Sequence, residues 1–308
     1  MPAKDALVTP DGRTYRAFRP TLTPRYGRVW GEIGAGWLAI LGALGAVVAA
    51  GPAWGWILAA PAAVVIGVGV AFLQLWFHEA AHYLVAPTRP LNDQLANLTL
   101  GLVVGQDIAA YRVVHFGHHR HLGAVQDPER GYFEPLTVGF LADALFLLRV
   151  LRFLTNRGPR VEAAGRTRAQ WGMLAAGVSL HAGLLGSLSA LGAWPAVAAW
   201  LAGMGSVFPL FASIRPLLEH RDLAAAAAVD YRAVPHGEVH RMFGDGPLAS
   251  VLGGAGFNRH LLHHWEPQLS CTRFAELEAF LLQTPAAPVL DQARSTYLGV
   301  FRALFRAP

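Results

Sequence analysis

Residues 56–82 read WILAAPAAVVIGVGVAFLQLWFHEAAH, an apolar and almost uncharged run that ends in two histidines four residues apart. An apolar stretch of about 20 residues is long enough to cross the hydrocarbon core of a bilayer. If the helix extends from Ala53 to Tyr83, a rise of about 1.5 Å per residue makes it about 46 Å long, which exceeds that core. His78 and His82 are therefore expected just beyond the membrane surface.

The chain as a whole is too apolar for an ordinary soluble domain. Of its 308 residues, 54% are hydrophobic and only 15% are charged, whereas about a quarter of the residues are charged in a typical soluble domain. Short uncharged segments, residues 51–55 and 192–194, separate the members of two pairs of apolar stretches. The sequence therefore predicts an all-α integral membrane protein with four spans in two transmembrane helical hairpins. The predicted spans are Trp37 to Ala50, lengthened toward Glu32, Trp56 to Phe77, Trp171 to Leu191 and Pro195 to Ile214.

The distribution of charge predicts how these hairpins are oriented. Residues 1–31 contain six lysine and arginine residues, and the positive-inside rule places such a segment in the cytoplasm. Both termini and the long polar segments then lie on the cytoplasmic side, where they form a histidine-rich helical cap. The predicted divisions are a cytoplasmic arm (1–31), a first hairpin (32–77), a cytoplasmic or interfacial region with two histidine boxes (78–169), a second hairpin (170–214) and a cytoplasmic region with the third box (215–308).

Charge and cysteine content also limit the partners. The net charge is +5, but the basic residues flank the apolar spans and form no single patch. This distribution indicates contact with membrane lipid headgroups and no nucleic acid partner. Residues 136–154 mix apolar side chains with Asp143, Arg149 and Arg152, which is typical of a helix lying in the headgroup region. Cys271 is the only cysteine, so nitrogen or oxygen atoms must hold any bound metal.

Nine of the 13 histidines fall into three short windows, HEAAH at 78–82, HFGHHRH at 115–121 and HLLHH at 260–264. Histidines four residues apart on a helix project from one face, so each window can direct imidazoles to one point. Imidazole binds Fe, Zn, Cu and Ni, and one ion rarely takes more than six donors. Eight or nine converging imidazoles therefore indicate two metal ions. The alternative is that these histidines lie on amphipathic segments at the membrane interface. That alternative accounts for a single window, but three windows with these spacings favour metal binding.

Two other functions fit parts of the sequence. The first window also matches HExxH, in which two histidines bind zinc and the glutamate, here Glu79, is the general base of an intramembrane metalloprotease. A single zinc needs only one further protein ligand, which leaves most of the remaining histidines without a role. A metal transporter would carry ionisable residues within its spans, but among the histidines only His181 lies inside one.

The three boxes, H-x3-H, H-x2-HH and H-x2-HH in this order around two hairpins, resemble those of the membrane fatty-acid desaturase and hydroxylase superfamily. The resemblance extends from Trp37 to Trp265. It implies a non-haem centre of two iron ions (Fe²⁺) on the cytosolic side, O₂ as co-substrate and a tunnel for an acyl chain. Flanking residues that share it are Tyr111 and Arg112 before the second box, Asp127, Pro128 and Glu129 after it, and Asn258 and Arg259 before the third.

The resemblance also implies which residues form the site. His220, in RPLLEHR after the fourth span, occupies the place of an additional ligand, whereas His121 lies outside the spacing and is expected near the site or in solvent. His181 is expected to form a hydrogen bond to a neighbouring helix, and His236 and His240 are expected at the surface. The predicted metal-binding and catalytic residues are His78, His82, His115, His118, His119, His220, His260, His263 and His264.

Several non-histidine residues have two interpretations. Carboxylates near the boxes either orient ligating imidazoles or pair with nearby arginines. Aromatic residues near the boxes either line the tunnel or pack within the helix bundle. The carboxylates are Glu79, Asp127 and Glu219, the arginines are Arg120, Arg130 and Arg221, and the aromatic residues are Trp76, Phe77 and Phe257.

The predicted function is a desaturase that introduces a carbon–carbon double bond into an acyl lipid, an acyl-CoA or an acyl-carrier-protein substrate. A hydroxylase of the same superfamily is the alternative. Whether the product is an alkene or an alcohol depends on very small differences in the position of the substrate. Breaking an unactivated C–H bond needs an oxidant that side chains do not supply but iron with O₂ does. The chain has no cysteine cluster, no GxGxxG motif and no haem domain, so an external electron donor of the ferredoxin or cytochrome type is expected.

Overall fold

The computed structural model describes residues 1–146 and 165–305. Four helical stretches in these ranges are long and apolar enough to cross a membrane, and they contain the four predicted spans almost completely. The all-α, membrane-spanning class predicted from the sequence is therefore confirmed. The four stretches are Tyr26–Ala49, Gly51–Ala81, Arg168–Ala190 and Trp194–His220.

The helices are numbered here in chain order. They are α1 (Tyr15–Phe18), α2 (Tyr26–Ala49), α3 (Gly51–Ala81), α4 (Arg89–Ala96), α5 (Ile108–His121), α6 (Val138–Leu145), α7 (Arg168–Ala190), α8 (Trp194–Ala202), α9 (Phe208–His220), α10 (Pro247–Leu252), α11 (His260–Trp265), α12 (Phe274–Leu281), α13 (Ala287–Ala293) and α14 (Tyr297–Leu304). Short 3-10 turns occupy Lys4–Ala6, Arg19–Thr21, Leu102–Val104, Arg130–Phe133, Gly254–Arg259 and Cys271–Arg273, and π turns occupy Asn97–Gly101 and Gly203–Val207.

Very little of the described chain is extended. Strands β1 (Met242–Phe243) and β2 (Arg294–Ser295) pair in parallel, with Met242 opposite Arg294. The helix predicted over residues 136–154 is present as α6, while residues 147–154 of that prediction lie outside the described residues.

Helix α3 is the central helix because small residues let its neighbours approach closely, as is common between membrane helices. Gly36 of α2 faces Leu73, and a Cβ added at Gly36 would lie 2.9 Å from the Leu73 side chain. On another face, a Cβ added at Gly67 would lie only 2.4 Å from Val207 in the π turn between α8 and α9. The packing therefore fixes the lateral position of the helix that carries the first histidine box.

Arg112 of α5 holds the carboxyl end of α3. Its guanidinium donates hydrogen bonds to the carbonyl oxygens of Ala81 (2.8 Å) and Ala80 (3.2 Å), and it stacks 3.8 Å from the centre of the Tyr83 ring. The last carbonyls of a helix have no partner within the helix, and a cation at that end is favourable. Arg112 thus connects the helix of the second box to the end of the first, next to His82.

Helix α7 is the most exposed of the four apolar helices, with only Gly177 and Leu188 buried. His181 connects it to the rest of the molecule. The His181 Nε2 donates to the Val103 carbonyl oxygen at 2.9 Å, and its Nδ1 accepts a hydrogen bond from Trp200 Nε1 at 3.1 Å. The predicted hydrogen bond of His181 to a neighbouring helix is therefore confirmed, and it accounts for the polar residue inside this span.

Replacing His181 with leucine is expected to lower the thermal stability of the detergent-solubilised protein by about 1–2 kcal/mol, because it leaves the partners of both hydrogen bonds unpaired. The measurement is the unfolding temperature followed by circular dichroism. Ser179→Ala, at an exposed position of the same helix, is the control and should unfold like the wild type. An unchanged unfolding temperature for His181→Leu would show that these bonds do not stabilise the bundle.

The N-terminal segment packs on the chain directly after the third histidine box. The Glu266 carboxylate accepts hydrogen bonds from Lys4 Nζ (2.5 Å), from the Tyr15 hydroxyl (2.7 Å) and from Arg19 Nε (3.2 Å). The Lys4 ammonium also lies 5.2 Å from the centre of the Trp265 ring. These contacts join the first residues of the chain to the end of α11.

Candidate metal centre

The first cluster brings together histidines from all three sequence windows. One nitrogen from each of its members lies within 4.8 Å of every other. The Nε2 of His115 is 2.9 Å from that of His82, and the Nε2 of His119 is 2.9 Å from those of His115 and His263. Because His115 and His119 are one helical turn apart on α5, they face the same point. The cluster contains His78, His82, His115, His119 and His263.

A second cluster adjoins the first and combines histidines of the second and third windows with His220. His118, His220 and His264 form one close group, and Glu219, His220 and His260 form another that shares His220. The Nε2 of His260 lies 2.8 Å from that of His220 and 3.1 Å from that of His264. Four histidines therefore surround this second point.

Hydrogen bonds alone do not account for these contacts. An imidazole Nε2 carries either one hydrogen or one in-plane lone pair, so it takes part in one hydrogen bond. The Nε2 atoms of His115 and His119 each have two imidazole nitrogens at 2.9 Å, and His260 Nε2 has two at 2.8 and 3.1 Å. Convergent lone pairs of this kind match the donor set of a bound cation, so the residues present fit a metal at each point.

The surroundings of the site keep most of these imidazoles in the neutral form that ligates metals. Burial lowers the pKa of His260, His263 and His264 well below the ordinary histidine value, and neighbouring histidines lower it further. Burial also lowers the pKa of His118, but Glu129 and Asp127 raise it by more, so the net shift is upward. Nearby carboxylates therefore stabilise the protonated form of His118, in contrast to His260, His263 and His264.

Asp127 holds His118 in place. The His118 Nδ1 lies 3.0 Å from both carboxylate oxygens of Asp127 and donates its hydrogen to them. The Tyr132 hydroxyl donates to the same carboxylate at 2.5 Å, and the backbone N–H of Glu129 donates at 2.8 Å. Arg130 contacts only the backbone oxygen of Asp127. The predicted orienting contact is confirmed, and it leaves the His118 Nε2 free to face the second cluster.

Glu79 is not placed as the base of a metalloprotease. Its Oε2 accepts a hydrogen bond from the backbone N–H of Cys271 at 2.9 Å, and it belongs to neither group of candidate ligands. The HExxH motif places His78 and His82 in a cluster of five histidines, whereas Glu79 is held at the backbone of Cys271. The metalloprotease interpretation therefore loses its catalytic base.

Glu219 pairs with Arg215, which is not among the three arginines named in its pairing interpretation. Arg215 Nε donates to its Oε1 at 2.7 Å, and its Oε2 lies 3.6 Å from His260 Nε2. Arg221, one of those three arginines, instead donates to the backbone oxygens of Tyr132 and Phe133. No role was predicted for Arg215, although its position four residues before Glu219 on a helix indicates this pairing.

The remaining histidines lie outside both clusters. His236 is buried, so its predicted surface position is wrong: it stacks on Phe133, donates from Nδ1 to the Gly237 oxygen and accepts from the Asp222 N–H. His240 is half-buried, with its ring 5.0 Å from that of His264. His121 ends α5 without joining either group of candidate ligands.

The aromatic residues proposed for a tunnel are packed in the core. Trp76, Phe77 and Phe257 are at most 1% exposed. The Phe257 ring lies 4.8 Å from the ring of His78 and 5.4 Å from that of His263. Phe257 thus packs against the first cluster, and the burial of all three side chains agrees with their interpretation as bundle packing.

Every histidine predicted to bind metal lies in one of the two clusters, and metal binding itself stays a prediction. Among protein-family models, the one described as fatty acid desaturase matches residues 54–291, more than three quarters of the chain. The matched region includes all three histidine windows. A comparison with curated proteins finds no match.

Proposed function

Because the chain belongs to the fatty acid desaturase family, we propose that it is a membrane-bound, O₂-dependent desaturase that introduces a carbon–carbon double bond into an acyl chain. The observation that carries this proposal is the convergence of nine histidines into two adjoining clusters. Nitrogen donors without thiolates suit iron, which fits an oxidoreductase of this family.

Two ions of iron would be held by the two clusters. His78, His82, His115, His119 and His263 would bind the first, and His118, His220, His260 and His264 would bind the second. Bound iron would supply, with O₂, the oxidising power that removal of hydrogen from an unactivated C–H bond requires. The protein's own contribution is to hold neutral imidazoles in place in a buried site and to fix His118 through Asp127.

The electron balance of this reaction implies a partner. Removing two hydrogens from the chain while O₂ is reduced to two waters consumes two further electrons and two protons. The single cysteine of the sequence provides no iron–sulfur cluster or redox pair. An external one-electron donor of the ferredoxin or cytochrome type is therefore part of the proposal.

An apolar groove supports an acyl substrate. It encloses about 250 Å³ between α9, α10 and α14. Two of its lining residues lie close to the second cluster: Leu218 directly precedes Glu219 and His220, and the Tyr297 hydroxyl is 3.5 Å from Glu219 Oε1. Because α9 belongs to the fourth apolar span, a lipid-borne acyl chain can reach this groove from the bilayer. Its lining residues are Leu210, Phe211, Ile214, Leu218, Leu248, Leu252, Tyr297, Leu298 and Phe301.

Filling the groove should reduce turnover without removing metal. Leu252→Trp is expected to lower turnover of a long acyl substrate at least about tenfold, because the indole occupies space that the chain needs. The measurement is product formation per bound iron. Val251→Trp, at the neighbouring exposed position outside the groove, is the control and should retain turnover. Equal activity of the two variants would exclude this groove as the acyl site.

The topology is also part of the proposal. The four spans form two hairpins, and the histidine-bearing segments lie together on the cytoplasmic side with both termini. The basic residues before the first span support this orientation. A reporter fused after Pro308 should give a cytoplasmic signal, and so should one fused before Met1. A signal from the opposite side for either fusion would contradict it.

The function is tested by untargeted mass spectrometry of lipids and acyl thioesters. A host that expresses the chain is compared with the same host expressing the His119→Ala variant. Products that have lost two hydrogens, present only with the wild type, are the expected result, and they also identify the substrate. Products that have gained one oxygen would instead establish the hydroxylase of the same superfamily. Purified protein without bound iron would contradict the proposal as a whole.

A further inference from the structure

The two histidine clusters differ in the number of nitrogen donors they offer. The first has five histidines, whereas the second has four. A buried carboxylate, Glu219, lies at the second cluster and is only 2% exposed. It directly precedes His220 at the end of α9. The asymmetry raises the question of what this carboxylate binds.

The two oxygens of Glu219 have different surroundings. Arg215 Nε donates to Oε1 at 2.7 Å, and the Tyr297 hydroxyl lies 3.5 Å from the same oxygen. The other oxygen, Oε2, lies 3.6 Å from the Nε2 of His260 and faces the point where His220 and His260 converge. The protein thus holds one oxygen with its own donors and directs the other at the imidazole nitrogens.

A second buried carboxylate shows what a purely structural ion pair looks like in this protein. Both oxygens of Glu278 are engaged by guanidinium groups, Oε2 by Arg259 at 2.7 Å and Oε1 by Arg294 at 2.9 Å. The arginine and tyrosine next to Glu219 could have been divided between its oxygens in the same way. Both instead lie at Oε1, which leaves Oε2 toward the cluster.

Charge supports a role for Glu219 beyond pairing with Arg215. Nine neutral imidazoles provide no negative charge, so two divalent cations in this buried site would be left uncompensated by their ligands. Carboxylate oxygen is a suitable additional donor for iron. A carboxylate that binds metal through one oxygen is commonly held by a hydrogen bond at the other.

We propose that Glu219 is a ligand of the second metal through Oε2, with Arg215 holding its Oε1, so that the two ions have donor sets of five nitrogens and of four nitrogens with one oxygen. This inference rests on the two-iron centre proposed above. It makes the two sites chemically unequal, with the second iron beside both the carboxylate and the apolar groove.

The test is iron binding by the full-length chain, purified in detergent, loaded with Fe²⁺ in the absence of oxygen and titrated with a competing chelator. The wild type is expected to bind two ions. Glu219→Gln keeps the size of the side chain and can still accept a hydrogen bond from Arg215, but it loses the charge. It is expected to bind the first ion normally and the second at least about tenfold more weakly.

Glu278→Gln is the matched control, because it neutralises a buried carboxylate that is paired with arginines and belongs to no group of candidate ligands, and it should bind two ions like the wild type. Equal iron affinity of Glu219→Gln and the wild type at both sites would overturn the proposal. Equal weakening at both sites would overturn it as well, since that result indicates general disruption. A wild-type chain that binds no iron would instead contradict the two-iron centre itself.

Arg215→Gln provides a second test that does not depend on the folding of Glu219→Gln. It leaves the Glu219 carboxylate buried without its ion-pair partner, which destabilises the metal-free protein. If Oε2 binds the second metal, Fe²⁺ should raise the unfolding temperature of this variant by more than it raises that of the wild type. A smaller or equal increase would show that Glu219 is only the partner of Arg215.

Discussion

Replacing His119 with alanine is expected to abolish turnover and to weaken iron binding at the first cluster by about 100-fold or more. His119 links two other members of that cluster, because its Nε2 lies 2.9 Å from the Nε2 atoms of both His115 and His263. It therefore joins the imidazoles of α5 to those of α11. Loss of one ligand from a buried site leaves the remaining imidazoles unable to compensate for the desolvation of the ion.

The measurements are iron per purified chain and conversion of the acyl substrate identified by mass spectrometry. His121→Ala is the matched control, since His121 lies two residues further along the same helix and outside both clusters. It should retain both iron and turnover. A His119→Ala protein with two tightly bound ions would contradict the ligand assignment, whatever its activity.

The clusters could be anticipated from the sequence because their members are related by helical spacing. His78 and His82, like His115 and His119, are four residues apart, and such residues share a helix face in any fold. Adjacent residues on a helix point in different directions. The same geometry therefore explains why His118 lies in the second cluster while its neighbour His119 lies in the first. Spacing alone did not assign each histidine to its cluster, because that depends on how α5 and α11 approach each other.

The wrong predictions arose where sequence neighbours were treated as spatial neighbours. For Glu219, the pairing interpretation considered only arginines such as Arg221, but residues two apart do not face each other on a helix, and the structure pairs Glu219 with Arg215. His236 was expected at the surface because its segment is polar. It is buried because the chain folds back over Phe133, a contact that no local pattern reports.

The end of α3 shows a third limit of sequence reasoning. The length of its apolar run predicted that the first box would lie past the hydrocarbon core. The partners that hold this end, Arg112 and Asn92, come from later segments of the chain. Asn92 donates to the Ala80 oxygen and accepts from the Val85 N–H. Such contacts depend on the tertiary arrangement, so the sequence did not predict how this end of the helix is held.

Replacing Asp127 with asparagine is expected to weaken iron binding at the second cluster by about 10- to 100-fold and to lower turnover accordingly, while the first cluster keeps its iron. Asp127 is fully buried, and both of its oxygens lie 3.0 Å from His118 Nδ1. Its negative charge makes His118 a stronger donor and fixes the orientation of the ring. Asparagine preserves the shape and one acceptor but removes the charge.

Tyr132→Phe separates the effect of the charge from that of local packing. It removes only the hydroxyl that donates to Asp127 at 2.5 Å and leaves the contact between Asp127 and His118 in place. Its loss of iron affinity should therefore be smaller than that of Asp127→Asn, when both are measured by chelator competition on the purified chain. If Tyr132→Phe weakens iron binding as much as Asp127→Asn does, the packing around Asp127 matters more than its charge. If neither variant changes the affinity, His118 does not need this carboxylate to face the second cluster.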